Sequence, residues 1–400
     1  MRRSFRFKIY RSRNSRYLDQ QIDVAGIIYN HCIALHRRYY RLFGKNLNIN
    51  KLQKHITKLK KLSKYQFWKN VGSQAIQEIT ERIKKGYDRF FDNVKARKEG
   101  KTKERVSPPK FRKVRKYKSF TLKQAGWKLE DNGVLVIRKR RYKYAKSREI
   151  EGTIKTVNIK RDAVGDFWVS FSCDIVETLS RAMTGKSAGF DFGLKTFLTS
   201  SEAVDPIRSP LFHREALASL KQSNRKLSKK KKGSRNRAKA KLNLARTHRR
   251  VSNLRNDYQW KLAKNFAIEY DHMFFEDLNI KAMSRLWGRK VHDLGFDKFL
   301  KKLGSKAHQF GAEVHKIDRF FPSSKKCSYC DYIKDDLALT DREYHCLNCG
   351  ISLDRDKNAA FNIKMVGAST IGLEVVRPSI DGVLDGVRTK TPESPGFSHG

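Results

Sequence analysis

Four cysteines, Cys327, Cys330, Cys346 and Cys349, fall within 23 residues as two CxxC pairs separated by 15 residues. That spacing suits one tetrahedral ion held by four thiolates, a site with no open position for catalysis and therefore structural. Zinc is the expected ion, with iron in a rubredoxin-like site as the alternative. Disulfides would need an oxidising compartment. The start, MRRSFRFKIY, is basic but has no apolar stretch behind it, so no secretory signal is expected and the protein reads as intracellular and reducing. Cys32 and Cys173 stand alone in apolar or alternating contexts and read as small buried hydrophobes. The cluster's position between Phe321 and Asp354 suggests that it braces the segment that follows it.

Charge narrows the partner. The chain carries 88 Lys and Arg against 40 Asp and Glu, a net charge of +48 over 400 residues. A surplus of that size excludes most ordinary metabolic enzymes and calls for a polyanion. With 39% hydrophobic and 11% aromatic residues, the chain is too apolar for a disordered basic tail. No apolar run approaches the roughly 20 residues of a membrane span. Nucleic acid is the expected partner, and no membrane is expected. Residues 371–400 differ: three basic and four acidic residues, three prolines and five glycines predict a disordered tail.

Periodicity divides the rest. Ile28, Cys32, Leu35, Tyr39 and Leu42 recur at helical spacing, as do Leu52, Ile56 and Leu59, then Val71, Ile76, Ile79, Ile83, Tyr87 and Phe90. Residues 21–95 are therefore expected to be helical, with Pro108 and Pro109 beyond their end. Between 110 and 180 the period becomes two: Val169, Phe171, Cys173 and Ile175 alternate with polar residues, and Leu135, Ile137, Val157 and Ile159 suggest further strands. Phe5, Phe7 and Ile9 alternate too. The expectation is a multidomain α+β chain: a β-barrel from 1–20 and 96–182, split by the helical insertion, then an α/β domain over 183–370. In the latter, 186–200 reads as a strand or hairpin, 212–270 as a long helical stretch and His272 to Leu278 as a short buried strand. A helix over 295–309 and a strand over Val314 to Ile317 precede the cysteine insertion at 322–352.

Three acidic positions sit where catalytic carboxylates would. Asp191 lies in GFDFG, Glu276 ends the apolar run after Met273, Phe274 and Phe275, and Asp354 and Asp356 lie in LDRDKNAA at a helix start. Carboxylates converging from separate elements can hold two divalent cations for in-line phosphodiester cleavage, and oxygen ligands suit Mg²⁺. Each also has an ordinary reading: an N-cap for Asp354 or Asp356, a solvent-facing strand end for Glu276. An unpaired buried Asp191 would be costly.

GFDFGLKTF, FFEDLNI, the double CxxC and LDRDKNAAFNI occur in the order and context of the nuclease half of the TnpB family, RNA-guided endonucleases of insertion sequences. The chain also resembles the compact type V CRISPR effectors related to them. The motifs span about 190–365; the N-terminal half is similar only in plan. The resemblance implies an N-terminal wedge β-barrel with a helical recognition insertion, and an RNase H-like, RuvC-type nuclease domain carrying a four-cysteine zinc finger. It implies a triad of Asp191, Glu276 and Asp356, the last chosen because it stands two residues before Asn358, with Asp354 the runner-up. Two Mg²⁺, one structural Zn²⁺, a guide RNA (omega RNA) from the element's own end and a double-stranded DNA target follow. No second nuclease motif with paired histidines is present, so one site would cut both strands in turn. Two positions depart from the family pattern: Asp331 follows Cys330 where glycine is common, and Phe190 replaces a more usual aliphatic.

For binding, residues 221–250 contain 14 Lys or Arg and no acid, including Lys229, Lys230, Lys231 and Lys232, which suits contacts to backbone phosphates. Arg112, Arg115, Lys116 and Lys118, then Arg138 to Arg141, interleave with Tyr117, Phe120, Tyr142 and Tyr144, aromatics that can stack on unpaired bases; core packing is the other account of Phe120. In the family, the motif beside the target is read by the helical insertion and the loop after it. Ser73, Gln74 and Gln77 on the helix, and Thr121 and Gln124 in the loop, are the candidates, since Gln pairs bidentately with adenine. The competing functions are a CRISPR effector, a non-cleaving guided repressor and a strand-joining transposase. The intact triad speaks against the repressor, and the zinc insert and split barrel against the transposase. The expected location is the cytoplasm of a prokaryote, at the nucleoid.

Overall fold

The computed structural model describes residues 2–176, 181–194, 196–208, 210–338 and 340–374. The tail expected over 371–400 lies outside them from residue 375 onward. The chain divides into two compact units, Met1–Glu177 and Thr178–Gly400.

In the first unit β1 (Arg2–Ile9) is followed by α1 (Ser15–Phe43), α2 (Ile49–Leu59), a 3₁₀ helix (Ser63–Asn70) and α3 (Ser73–Lys98). Then come β2 (Ser119–Leu122), β3 (Trp127–Glu130), β4 (Val134–Ile137), β5 (Arg140–Lys143), β6 (Thr153–Arg161) and β7 (Phe167–Asp174). The alternating strands form an antiparallel sheet in the order β1-β7-β6-β2, with Phe5 opposite Phe171 and Phe7 opposite Val169. The inward residues share one continuous core with Leu18, Ile22, Ile28 and Cys32 of α1 and Ile76, Ile79 and Ile83 of α3. The helical stretch is thus the other half of the sheet's core, which the strands' alternation alone does not reveal.

The expected barrel is not formed. β3, β4 and β5 make a separate meander, and neither sheet closes. The reason lies in the turns. Arg138 and Lys139 both take positive φ, 48° and 66°, the conformation of a two-residue hairpin turn that pairs β4 with β5 directly. The meander therefore satisfies its hydrogen bonds locally. Its inward residues Leu135, Ile137 and Tyr142 share the larger sheet's core, and backbone bonds join the two at the bridge Ile9–Tyr144, from Tyr10 N to Lys143 O (2.8 Å) and from Ala145 N to Lys8 O (2.8 Å).

The second unit contains β8 (Ser187–Asp191), β9 (Thr196–Ser200), β10 (Ile207–Arg208), α4 (Phe212–Glu215), α5 (Leu217–Ser228) and α6 (Arg235–Glu269). β11 (His272–Glu276), α7 (Ile280–Leu294), α8 (Phe296–Phe310), β12 (Glu313–Ile317), β13 (Glu343–His345), β14 (Ser352–Asp354) and α9 (Arg355–Thr370) follow. The stretch over 212–270 is not continuous. It breaks at Gly233, where φ is +89°, and restarts at Ser234, whose hydroxyl caps α6 by accepting from Arg237 N (3.1 Å). A mixed sheet runs β10-β9-β8-β11-β12; β8, β11 and β12 are parallel, and β9 turns back antiparallel on β8. On one face Phe190, Phe197, Phe266, Phe275, Phe296 and Phe299 pack under α6 and α8. Phe190, the departure from the aliphatic pattern, stacks on Phe275 at 5.0 Å. On the other face α9 covers Phe274 and Ile317 through Ile363 and Ala368.

Candidate active site and cysteine cluster

Because β8 and β11 are parallel and register Phe190 opposite Phe275, their last residues, Asp191 and Glu276, emerge side by side at the strands' carboxyl ends. Ligands of α/β sheets bind at this edge. α9 adds the third carboxylate. Its approach to β8 is possible only because residue 189 is glycine: a Cβ there would lie 2.2 Å from Ala360 O and 2.5 Å from Lys364 N. The first turn is then fixed by Lys357, whose ammonium donates to the carbonyls of Ser200 (3.0 Å), Ser201 (2.9 Å) and Ala203 (2.7 Å). Nothing in the sequence pattern singles out Gly189 or Lys357 for this work.

Asp356 and Glu276 lie near enough to Asp191 to act on its charge. Burial, and the negative charges of Asp356 and Glu276, push the Asp191 carboxyl up to about 7. Burial and the adjacent Asp277 raise Glu276 as well. Asp277 itself is held low by hydrogen bonds from Lys316 and Arg319, which tie the residue after β11 to the end of β12 and the segment that follows it. Asp354 and Asp356 separate by role. Asp354 is the N-cap of α9, accepting from Lys357 N (3.0 Å), while Asp356 acts on Asp191. Mutually repelling oxygen donors that hold a carboxyl near 7 form a donor set that fits hard divalent cations. The three carboxylates do not form one tight ligand cluster. Among the described residues, three or more candidate ligand atoms come within 4.8 Å of one another only in the four cysteines and in His272, Glu313 and His315.

The cysteine lobe consists of two copies of one turn. Cys327 N donates to Tyr332 O (2.7 Å) and Cys346 N to Ile351 O (2.9 Å); Asp331 N returns to Cys327 O (3.2 Å) and Gly350 N to Cys346 O (3.0 Å). Gly350 and Asp331 occupy equivalent left-handed positions, φ +71° and +64°, which explains why glycine is favoured where this chain has Asp. The sulfurs of Cys327 and Cys349 are 3.7 Å apart, and those of Cys330 and Cys346 3.5 Å apart. A tetrahedral zinc with bonds of about 2.3 Å has sulfur–sulfur edges of about 3.8 Å, so the four thiols suit that ion. Burial pushes the Cys327 thiol up to about 12.

The lobe is tied to the carboxylate helix by two residues that composition and spacing did not reveal. Asn358, fully buried, accepts from Ser328 N (3.0 Å) and donates to Lys326 O (2.8 Å). Asn362 donates to Ser323 O (2.8 Å) and Lys326 O (2.6 Å). The first cysteine turn thus rests on the same helix face that follows Asp356.

The candidate nucleic-acid residues fare unevenly. Ser73 and Gln77 open onto a cleft of about 480 Å³ shared with Gln53, Lys54 and Thr57 of α2. Gln74 is half-buried or more beside them, and its carbonyl oxygen is enclosed without a hydrogen-bond partner. Gln124 is exposed in the β2–β3 turn. Thr121 lies within β2 rather than in a loop, and its hydroxyl accepts from Asn158 (2.9 Å). Lys229 to Lys232 are all exposed at the tip of the α5–α6 hairpin, which Arg237 closes by donating to Leu227 O (2.9 Å) and Lys230 O (2.8 Å). The stacking expected of Tyr117, Phe120, Tyr142 and Tyr144 is corrected: all four are buried in the first unit's core, at 1–3% exposure, because their side chains face inward.

The chain resembles known proteins along most of its length. A family described as "Probable transposase" (OrfB_IS605) matches residues 170–286, and one described as "Cas12f1-like, TNB domain" matches residues 296–363. A Streptomyces pristinaespiralis protein named "Putative RNA-guided DNA endonuclease" is 29% identical over 391 residues, covering 94% of this chain and 92% of that protein. The TnpB-like protein L79 of Acanthamoeba polyphaga mimivirus is 28% identical over 228 residues, 53% of this chain and 43% of that protein. In fold, the chain resembles the protein of a Cas12f1–sgRNA–target DNA complex, with TM-score 0.54 and 16% identity, over 88% of this chain and 82% of that one. No helix among the described residues is long and apolar enough to cross a membrane. The two matched segments follow one another over residues 170–363 and enclose the nuclease motifs, so the chain is similar to proteins named RNA-guided DNA endonuclease and TnpB-like in the order of its parts.

Proposed function

We propose that this protein is an RNA-guided DNA endonuclease whose single nuclease site is built from Asp191, Glu276 and Asp356. One observation carries the reading: two parallel strand ends and one helix start bring three carboxylates to one sheet edge, where burial and the charges of the other two raise Asp191 to about 7. Asp191, Glu276 and Asp356 would hold two magnesium ions, which when bound supply the Lewis acidity and activated water for phosphodiester hydrolysis. The chain's own contribution is positional. Gly189 lets α9 close on β8, Lys357 pins the helix start, and Asn358 and Asn362 fix α9 against the cysteine lobe. The four cysteines hold one structural zinc.

Specificity then rests on pairing between guide and target, with the protein gripping backbones. The exposed lysines at the α5–α6 tip are suited to phosphate contacts. The sheet and helices of the first unit stand as the wedge and recognition elements, over 1–20 with 96–182 and over 21–95 respectively. The cleft at Ser73 and Gln77 is the surface proposed for reading the target-adjacent motif. A prokaryotic cytoplasm, at the nucleoid, is the compartment this activity fits.

The test is to express the gene with its flanking DNA, purify the protein and sequence the RNA bound to it. One discrete RNA running from the gene's end into the flank is the expected result. RNA carrying a CRISPR repeat would move the protein to the effector class, and heterogeneous RNA removed by salt would leave a general polyanion binder. With the guide in hand, Asp191→Ala should abolish cleavage while RNA binding persists; undiminished cutting would overturn the active-site assignment.

A further inference from the structure

At the opposite end of the same strand from Glu276, the parallel register places His272 opposite Glu313, with His315 two residues further along β12. Three side chains from two strands converge there. His272 Nδ1 and His315 Nε2 are 3.3 Å apart, His315 Nε2 and Glu313 Oε2 are 3.3 Å apart, and His272 Nδ1 and Glu313 Oε2 are 3.8 Å apart. Four residues of strand separate His272 from Glu276, about 13 Å, so this cluster is distinct from the carboxylate trio.

These distances have a specific meaning. A tetrahedral zinc with ligand bonds of about 2.0–2.1 Å separates its nitrogen and oxygen donors by about 3.3–3.4 Å. Two of the three separations fall at that value, and the third lies on the exposed, adjustable glutamate. The His315 ring is held by stacking on Phe274 at 5.2 Å. Phe274 in turn is wedged against Gly367, where a Cβ would come within 2.2 Å of the ring. The two imidazoles are half-buried and Glu313 is exposed, which leaves a fourth, water-accessible position.

We infer that His272, Glu313 and His315 form a second metal site of the chain, taking a zinc-class divalent transition ion that links edge strand β12 to β11. Two imidazoles and one carboxylate select such an ion over magnesium, which prefers an all-oxygen octahedron. The role is structural: the ion joins the base of the strand that ends in Glu276 to its neighbour. Neither the motif resemblance nor the nuclease chemistry calls for this site.

The experiment is zinc titration of the intact protein in excess magnesium, which occupies the carboxylate trio, with bound metal counted by mass spectrometry after gel filtration. The wild type should take up two zinc ions per chain. His315→Gln and His272→Gln should each take up one, and Glu313→Gln should weaken the second ion by at least roughly tenfold, the cost of losing even an outer partner of a ligand. Cobalt substitution adds a readout independent of activity: the second equivalent should bind without a thiolate charge-transfer band. Saturation at one zinc in the wild type would overturn the inference. So would two zinc ions retained in His315→Gln, or a second cobalt with thiolate absorption.

Discussion

Burial of the Asp191 carboxyl, with the repulsion of Asp356 and Glu276, predicts how stability depends on pH. In the fold the Asp191 carboxyl lies at about 7, up from an ordinary 3.8. A raised value in the folded state means that the protonated form is favoured there. The penalty is therefore absent below about pH 4, builds as pH rises and is complete once pH passes about 7. About three pH units at 1.36 kcal/mol each give an upper bound of about 4 kcal/mol. The residue is partly open to solvent, and halving for screening leaves about 2 kcal/mol. Asp191→Asn removes that penalty. Without magnesium, and with zinc retained, the variant should be more stable than the parent by about 2 kcal/mol at pH 8, which is roughly 4–8 °C in the melting temperature of a unit this size. Between pH 5 and pH 8 its advantage should grow by about 1 kcal/mol and then level off. Millimolar magnesium should raise the parent's melting temperature and leave the variant's unchanged. A variant less stable than the parent at pH 8, or an advantage independent of pH, would refute the claim that the fold holds the Asp191 carboxylate at a cost.

Four further outcomes are expected. Gly189→Ala forces a methyl to 2.2 Å from Ala360 O; it should cost about 1–3 kcal/mol and remove cleavage while RNA binding, measured by gel shift, survives. Asp354→Ala should lose about 1 kcal/mol from the missing cap and keep cleaving, whereas Asp356→Ala should lose no stability, gaining a little at pH 8 as its charge leaves Asp191, and stop cleaving; the reverse pattern would exchange their roles. Cys346→Ser should lower zinc content by one ion per chain and abolish cleavage, because Asn358 and Asn362 would then clamp an unfolded lobe; full cleavage at full zinc content would dissociate the lobe from the site. Replacing Lys229 to Lys232 with Gln should leave the melting temperature unchanged and reduce the salt dependence of DNA affinity, by up to roughly 0.9 in log–log slope for each phosphate no longer neutralised.

The division between what is readable along the chain and what is not follows the range of the interactions involved. The cysteine lobe is legible because its four thiols lie within 23 residues and the two turns that bring them together are local. The helices around Ile28 and Ile76 and the strand at Val169 are legible because period 3.6 and period 2 are properties of short segments. The absence of a barrel is not, since closure depends on which edges pair, and the turn at Arg138 and Lys139 satisfies one sheet locally. Buried Tyr117, Tyr142 and Tyr144 show the same limit: an aromatic beside arginines reads alike whether it faces inward or outward.

The sequence by itself determined the composition of the chemistry: three carboxylates in separate motifs, four thiols at metal spacing, and a basic surplus that demands a polyanion. Tertiary structure decided the geometry. It separated Asp356 from Asp354, since one acts on Asp191 and the other closes a helix end two residues away. It gave Gly189 and Gly367 their purpose, because room for α9 exists only where a strand and a helix meet. It also joined His272 to His315, 43 residues apart, through a parallel register that no local pattern encodes. Spacing along a chain fixes what can be near within a turn or two; which distant residues meet is set by strand order and helix packing, and those are settled only when the whole core is assembled.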